Sequence, residues 1–198
     1  MPTILNFINI KSNDNESYDK ITLINKLPIN IYTDGACSNN GNVNAIAGIG
    51  IYFGKEDKRN VSEKIIGKQS NNTAELTALI KLFQIIGDDR DNKYTNQIIH
   101  IYTDSMYAIQ CCKEYGLRSF KNQWKKKTKY IPNHELVKQA YKLFNTFKHI
   151  SLFHIKAHSK KTDEYSIGNM EADKLASQSI KPNPNYNIKN MLCGDSII

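Results

Sequence analysis

The tetrapeptide Ile-Tyr-Thr-Asp occurs twice, at residues 31–34 and again at 101–104. Each copy ends an apolar extended run, PINIYTD and QIIHIYTD, on an aspartate. Between them lies NNTAELTALIKLFQII, in which Leu76, Leu79, Ile80, Phe83 and Ile86 recur at helical spacing. A helical crossover lets the two flanking strands lie parallel and adjacent. Asp34 and Asp104 then stand side by side at the carboxyl ends of neighbouring strands, where α/β sheets place their sites.

The rest of the chain fits around that pair. AIAGIGIYFG and VSEKIIGK read as second and third strands, joined by the hairpin-like linkers CSNNGNVN and KEDKRN, which favour antiparallel pairing. SMYAIQCC opens a helix, and NHELVKQAYKLFNTF is an amphipathic helix capped by Asn133. HISLFHIKAH is a fifth strand, SKKTDEYSIG a polar loop, and NMEADKLASQSI a last helix. The expected fold is α/β: a mixed five-stranded sheet, an antiparallel three-strand meander plus two parallel strands, with helices on both faces. Residues 1–27 are expected to form a poorly ordered appendage, because their centre, KSNDNESYDK, is polar and aperiodic. Residues 28–180 form the domain, and 181–198 a Pro/Asn-rich tail.

Composition narrows the class. At 198 residues the chain can bury a core without disulfides or structural metals. Its four cysteines show no zinc-type spacing and no CxxC pair, which points to a reducing, intracellular compartment rather than secretion. No apolar run reaches the ~18 residues of a membrane span. The N-terminus lacks the basic start and cleavage site of a signal peptide. The formal charge of +8 suits a polyanionic partner.

That charge is local. Between Cys111 and Ile131 stand seven basic residues, Lys113, Arg118, Lys121, Lys125, Lys126, Lys127 and Lys129, against Glu114 alone. Tyr115, Phe120, Trp124 and Tyr130 are interleaved with them. Lysines bind a phosphate backbone without reading sequence, and a flat aromatic can pack on a sugar or base. The only Trp beside three consecutive lysines marks nucleic-acid contact. A merely solvated helix face is the ordinary alternative.

Each candidate acid also has an ordinary use. Asp34 before Gly35 could make a turn, and Asp104 before Ser105 could cap a helix. Asn72 with Glu75 resembles a capping box. Asp173, at the edge of an apolar helical face near Ala176 and Ile180, could serve a local ion pair. Taken together, four carboxylates at one place repel unless a cation or proton lies between them. They suit oxygen-preferring divalent cations such as Mg²⁺. Two such ions can activate a water and stabilise a leaving oxygen in phosphodiester cleavage. His158, after the fifth strand, could move protons near neutral pH. No EF-hand loop is present.

The set resembles ribonuclease H of the type 1 class over residues 28 to 180. TDGACSNN, SNNTAEL, YTDSMYAI, and IKAHS followed by GNMEADKLA match the family's motifs in order and spacing. The resemblance implies a ribonuclease H-like sheet. It places Asp34, Glu75, Asp104 and Asp173 on the family's metal-binding carboxylates and His158 on its mobile histidine. Asn40, Asn71 and Asn72 fall on positions that contact the minor groove of the hybrid, and Ser70 on a DNA-phosphate pocket. The segment around Trp124, Lys125, Lys126 and Lys127 looks like the basic protrusion that grips DNA. The implied activity is cleavage of the RNA strand of an RNA–DNA hybrid, leaving 5′-phosphate and 3′-hydroxyl ends. It would use two Mg²⁺ ions or Mn²⁺ in their place, with no small-molecule cofactor, no membrane and a monomeric chain. The stretch from His158 to Asp173 looks longer than in compact bacterial members. Competing classes are a catalytically silent hybrid-binding protein and another nuclease on the same fold, such as a resolvase or transposase-like strand transferase.

Overall fold

Strand β1 (Ile29–Ser38) pairs antiparallel with β2 (Ile46–Tyr52), and β2 with β3 (Val61–Lys64), in a computed structural model that describes residues 27–88, 94, 97–157 and 162–181. All but residue 27 of the expected appendage, nearly all of the tail and His158 lie outside the described residues. Helix α1 (Asn71–Gly87) precedes β4 (Ile99–Thr103), which runs parallel to β1. Strand β7 (Ile150–His154) lies parallel to β4, giving the sheet order β3-β2-β1-β4-β7. The two tetrapeptides pair in register, Ile31 opposite Ile101 and Tyr32 opposite Tyr102.

Strand alternation sends neighbouring side chains to opposite faces. On one face Ile31, Ile49, Ile51 and Ile101 are buried with Leu76, Leu79, Leu82 and Phe83 of α1. The other face is covered by α5 (Glu164–Ser179). Its approach is close because β2 presents glycine there. A Cβ on Gly50 would collide with the Ala172 carbonyl, and one on Gly48 with Ser179 Oγ. Gly168 of α5 in turn rests on the Tyr32 ring. Tyr52, Tyr32, Tyr102 and Phe153 form a ladder across four adjacent strands, with ring centroids 6.2, 5.3 and 5.2 Å apart. The ladder sits two residues before Asp34 and Asp104, as a floor beneath them.

Several boundaries differ from the sequence expectation. Helix α5 starts at Glu164, not Asn169, so the polar loop expected over 159–168 is shorter. Asp163 caps the helix by accepting from Ser166 N at 2.9 Å. Its buried stripe is Gly168, Asn169, Ala172 and Ala176, too small and polar to register as an apolar period. After α2 (Met106–Cys112), the basic segment forms α3 (Glu114–Lys121) and a short ribbon, β5 (Lys125–Lys126) with β6 (Lys129–Tyr130). Helix α4 (His134–Thr146) follows. Asn133 holds its cap position at φ 55° but makes no side-chain cap bond. Its amide instead donates to Tyr107 Oη and accepts from Lys68 Nζ, each at 3.3 Å.

Candidate active site

The ordinary uses of the acids are taken by other residues. Asp34 makes no turn: it lies within β1, paired with Gly50. Ser105, not Asp104, caps α2, its Oγ accepting from Ala108 N at 3.2 Å. Ser70 caps α1 in a reciprocal box with Thr73, so Asn72 and Glu75 do not form the expected one. Asp173 accepts from Ser177 Oγ at 3.3 Å.

Freed of those uses, the acids converge. Asp34, Glu75 and Asp104 each bring a carboxylate oxygen within 4.8 Å of the others. Asp173 joins them in lining a cavity of about 410 Å³, with Asn71, Lys156 and Asn169. The approach of α1 depends on Gly35, where a Cβ would collide with the Glu75 backbone nitrogen. Asp34 and Glu75 are 7% and 5% exposed, which is rare for carboxylates without a paired cation.

Electrostatics follow from that crowding. Burial, then the nearby Asp104, push the Asp34 carboxyl up to about 7, against a pull from the Gly35 N–H, with Asp173 adding a smaller push. Burial, then Asp34 and Asp104, raise Glu75 well above the usual carboxylate range. Glu75 Oε2 is buried with no hydrogen-bond partner among the described residues. The site thus concentrates negative charge and holds an unpartnered oxygen, the donor set a hard divalent cation takes.

The other expected contacts fall around this centre. Asn71 N donates to Asn40 Oδ1 at 3.2 Å, joining the β1–β2 hairpin to the start of α1. Ser70 and Asn72 flank Asn71, with the Ser70 hydroxyl engaged in the cap. Lys125, Lys126 and Lys127 are exposed on the ribbon. Trp124 is not an exposed platform. It is 8% exposed and packs its indole against Phe120 and Tyr141, at 5.9 and 6.0 Å. Tyr130, stacked on His134 at 4.3 Å, and Phe120 are the more exposed rings there. Trp124→Ala is therefore expected to lower folding stability by about 3 kcal/mol. Urea denaturation checks this, and a hybrid-binding defect at unchanged stability would contradict it.

Sequence reasoning missed Asn169 and Lys156 as residues lining the cavity. Asn169 was open to inference: it precedes Asp173 by four residues and so shares its helical face. Lys156 follows β7 inside the motif IKAHS, in which the sequence reading singles out His158 alone.

Known proteins resemble this chain in sequence and in fold. The Schizosaccharomyces pombe protein named ribonuclease H is 34% identical over 148 residues, 74% of this chain and 50% of that protein. A Clostridium botulinum ribonuclease H is 31% identical over 153 residues, covering 76% of this chain and 93% of that one. The chain spans about half the length of the curated fission-yeast and mammalian relatives it matches. The solved RNase H domain of PFV shares the fold at TM-score 0.58 and 20% identity, covering 79% of this chain and 96% of that domain. The RNase H family model matches residues 26–181, a span that holds all four acids, the sheet that aligns them and the ribbon of lysines. By that match and by its identity to these relatives, the chain belongs to the RNase H family.

Proposed function

We propose that this chain is an endoribonuclease that hydrolyses the RNA strand of RNA–DNA hybrids, leaving 5′-phosphate and 3′-hydroxyl ends. The convergence of Asp34, Glu75 and Asp104 within 4.8 Å carries the proposal. Those three and Asp173 would hold divalent cations, with Mg²⁺ suited by their all-oxygen donor set. A bound pair of such ions supplies an activated water and offsets charge on the leaving oxygen. The aromatic floor and the capped starts of α1 and α2 hold the acids in place without drawing on their carboxylates. Exposed lysines on the ribbon attract the sugar–phosphate backbone irrespective of sequence. Asn71, which lines the cavity, and Asn40, which accepts from its backbone nitrogen, offer short polar groups able to sense 2′-hydroxyls in a shallow groove. His158 is assigned proton transfer or product release by its match to the family's mobile histidine.

The test is cleavage of an end-labelled RNA–DNA hybrid with Mg²⁺, beside matched RNA and DNA duplexes and Asp104→Asn. Cutting confined to the hybrid, and lost in the variant, is expected. Cutting of DNA duplex favours another nuclease of this fold. Binding without cutting, in both Mg²⁺ and Mn²⁺, makes the chain a silent hybrid-binding protein.

A further inference from the structure

Asn169 lies in α5 one turn before Asp173, so their side chains leave the same face of the helix. It is 5% exposed and lines the cavity shared by Asp34, Glu75 and Asp104. Its Oδ1 is buried and has no hydrogen-bond partner among the described residues. Folded proteins seldom keep such an acceptor without a reason. With a cation bound, the neighbouring carboxylates are ionised and only accept, so they cannot satisfy it. Lys156, the basic residue lining the cavity, is exposed to solvent. Nor can the helix turn away: Gly168 rests on the Tyr32 ring and Ala172 presses on Gly50. The side chain that carries the acceptor is therefore fixed at the wall of a polar cavity large enough for water.

We propose that Asn169 is a positioning residue whose Oδ1 accepts a hydrogen bond from a water in the shell of a divalent cation held by the adjacent carboxylates. The proposal rests on the metal-site reading of this cavity. Mg²⁺ in protein sites usually keeps several of its waters, and a shell water donates hydrogen bonds outward. Groups that orient a metal's ligands from outside contribute about 10–100-fold to affinity. A neutral carbonyl suits the task, since it accepts from that water without adding charge to acids that already repel one another.

The experiment is calorimetric titration of the whole chain with Mg²⁺, without nucleic acid. Asn169→Ala is expected to lower affinity about ten-fold. Asn169→Asp, which keeps an oxygen acceptor, is expected to bind at least as tightly as the wild type. Thermal unfolding without metal separates positioning from architecture. Asn169→Ala loses an acceptor that had no partner, so its Tm should not fall. Asn169→Ser, too short to reach the same water, replaces Asn169→Ala if that variant does not fold. Affinity within about two-fold of wild type in the shortened variant, against the scale expected for such partners, overturns the proposal. So does Asn169→Asp binding as weakly as Asn169→Ala. Asp34→Asn, titrated in parallel, distinguishes the two levels. If it binds like the wild type, or the wild type takes up no Mg²⁺, the metal-site reading itself falls.

Discussion

Asp34→Asn is expected to reduce cleavage of an RNA–DNA hybrid by about a thousand-fold or more, the scale of losing a fixed charge at a reacting centre. The same change should stabilise the metal-free protein above neutral pH. The Asp34 carboxyl stands at about 7 in the folded chain against 3.8 ordinarily, so between those values the folded state holds a proton that the unfolded state has released. Stability from this group is full below about 4, and falls as pH rises through about 7. Asparagine cannot ionise and escapes that loss. At pH 8 without metal the variant should be more stable by about 2–4 kcal/mol, and at pH 4 the difference should nearly vanish. Excess Mg²⁺ should narrow the gap by binding the folded wild type. Urea denaturation at both pH values, with and without Mg²⁺, reads this out. Equal stability at pH 8 without metal would show that the acids do not strain one another.

The second large effect lies on the ribbon. Replacing Lys125 and Lys126 by Gln and Lys127 by Asn should weaken hybrid binding by about ten-fold or more at moderate salt. It should also lower the slope of log K against log salt by about 2. Asn is chosen at 127 because that residue sits at φ 57°, a conformation Asn adopts more readily than most. The cleavage rate at saturating hybrid should change little, since these lysines are not among the residues lining the acid cavity. An unchanged salt slope would remove the ribbon from the binding surface.

The central feature of the fold was open in the sequence because it depends on strand periodicity. Two identical strand ends with a helical crossover lead to a parallel pair, and the pair forms in register. Burial of Leu76, Leu79, Ile80, Phe83 and Ile86 follows from the 3.6-residue period in the same way. Where small residues replace large ones, that signal fails. Helix α5 is seated by Gly168, Ala172 and Ala176, so its first turn reads as a loop. Caps were misplaced for a local reason: Asn72 and Glu75 match the capping pattern as well as Ser70 and Thr73 do, and only backbone geometry selects between them. Trp124 shows the limit of composition. A lysine-rich neighbourhood says where charge lies but not which way an indole turns, and the left-handed backbone at Gln123 and Trp124 accompanies its inward packing.

The close seating of α5 on Gly48 and Gly50 has a consequence for the life of the molecule before it is fully made. Asp34 is among the first acids of the domain to leave the ribosome, and Asp173 arrives on the last helix. Contacts so distant along the chain form late in folding. A nascent chain that has completed only its meander and first helix holds Asp34 and Glu75 but no Asp104 or Asp173. Synthesis order thereby keeps the group of four acids incomplete until α5 closes over the glycines of β2.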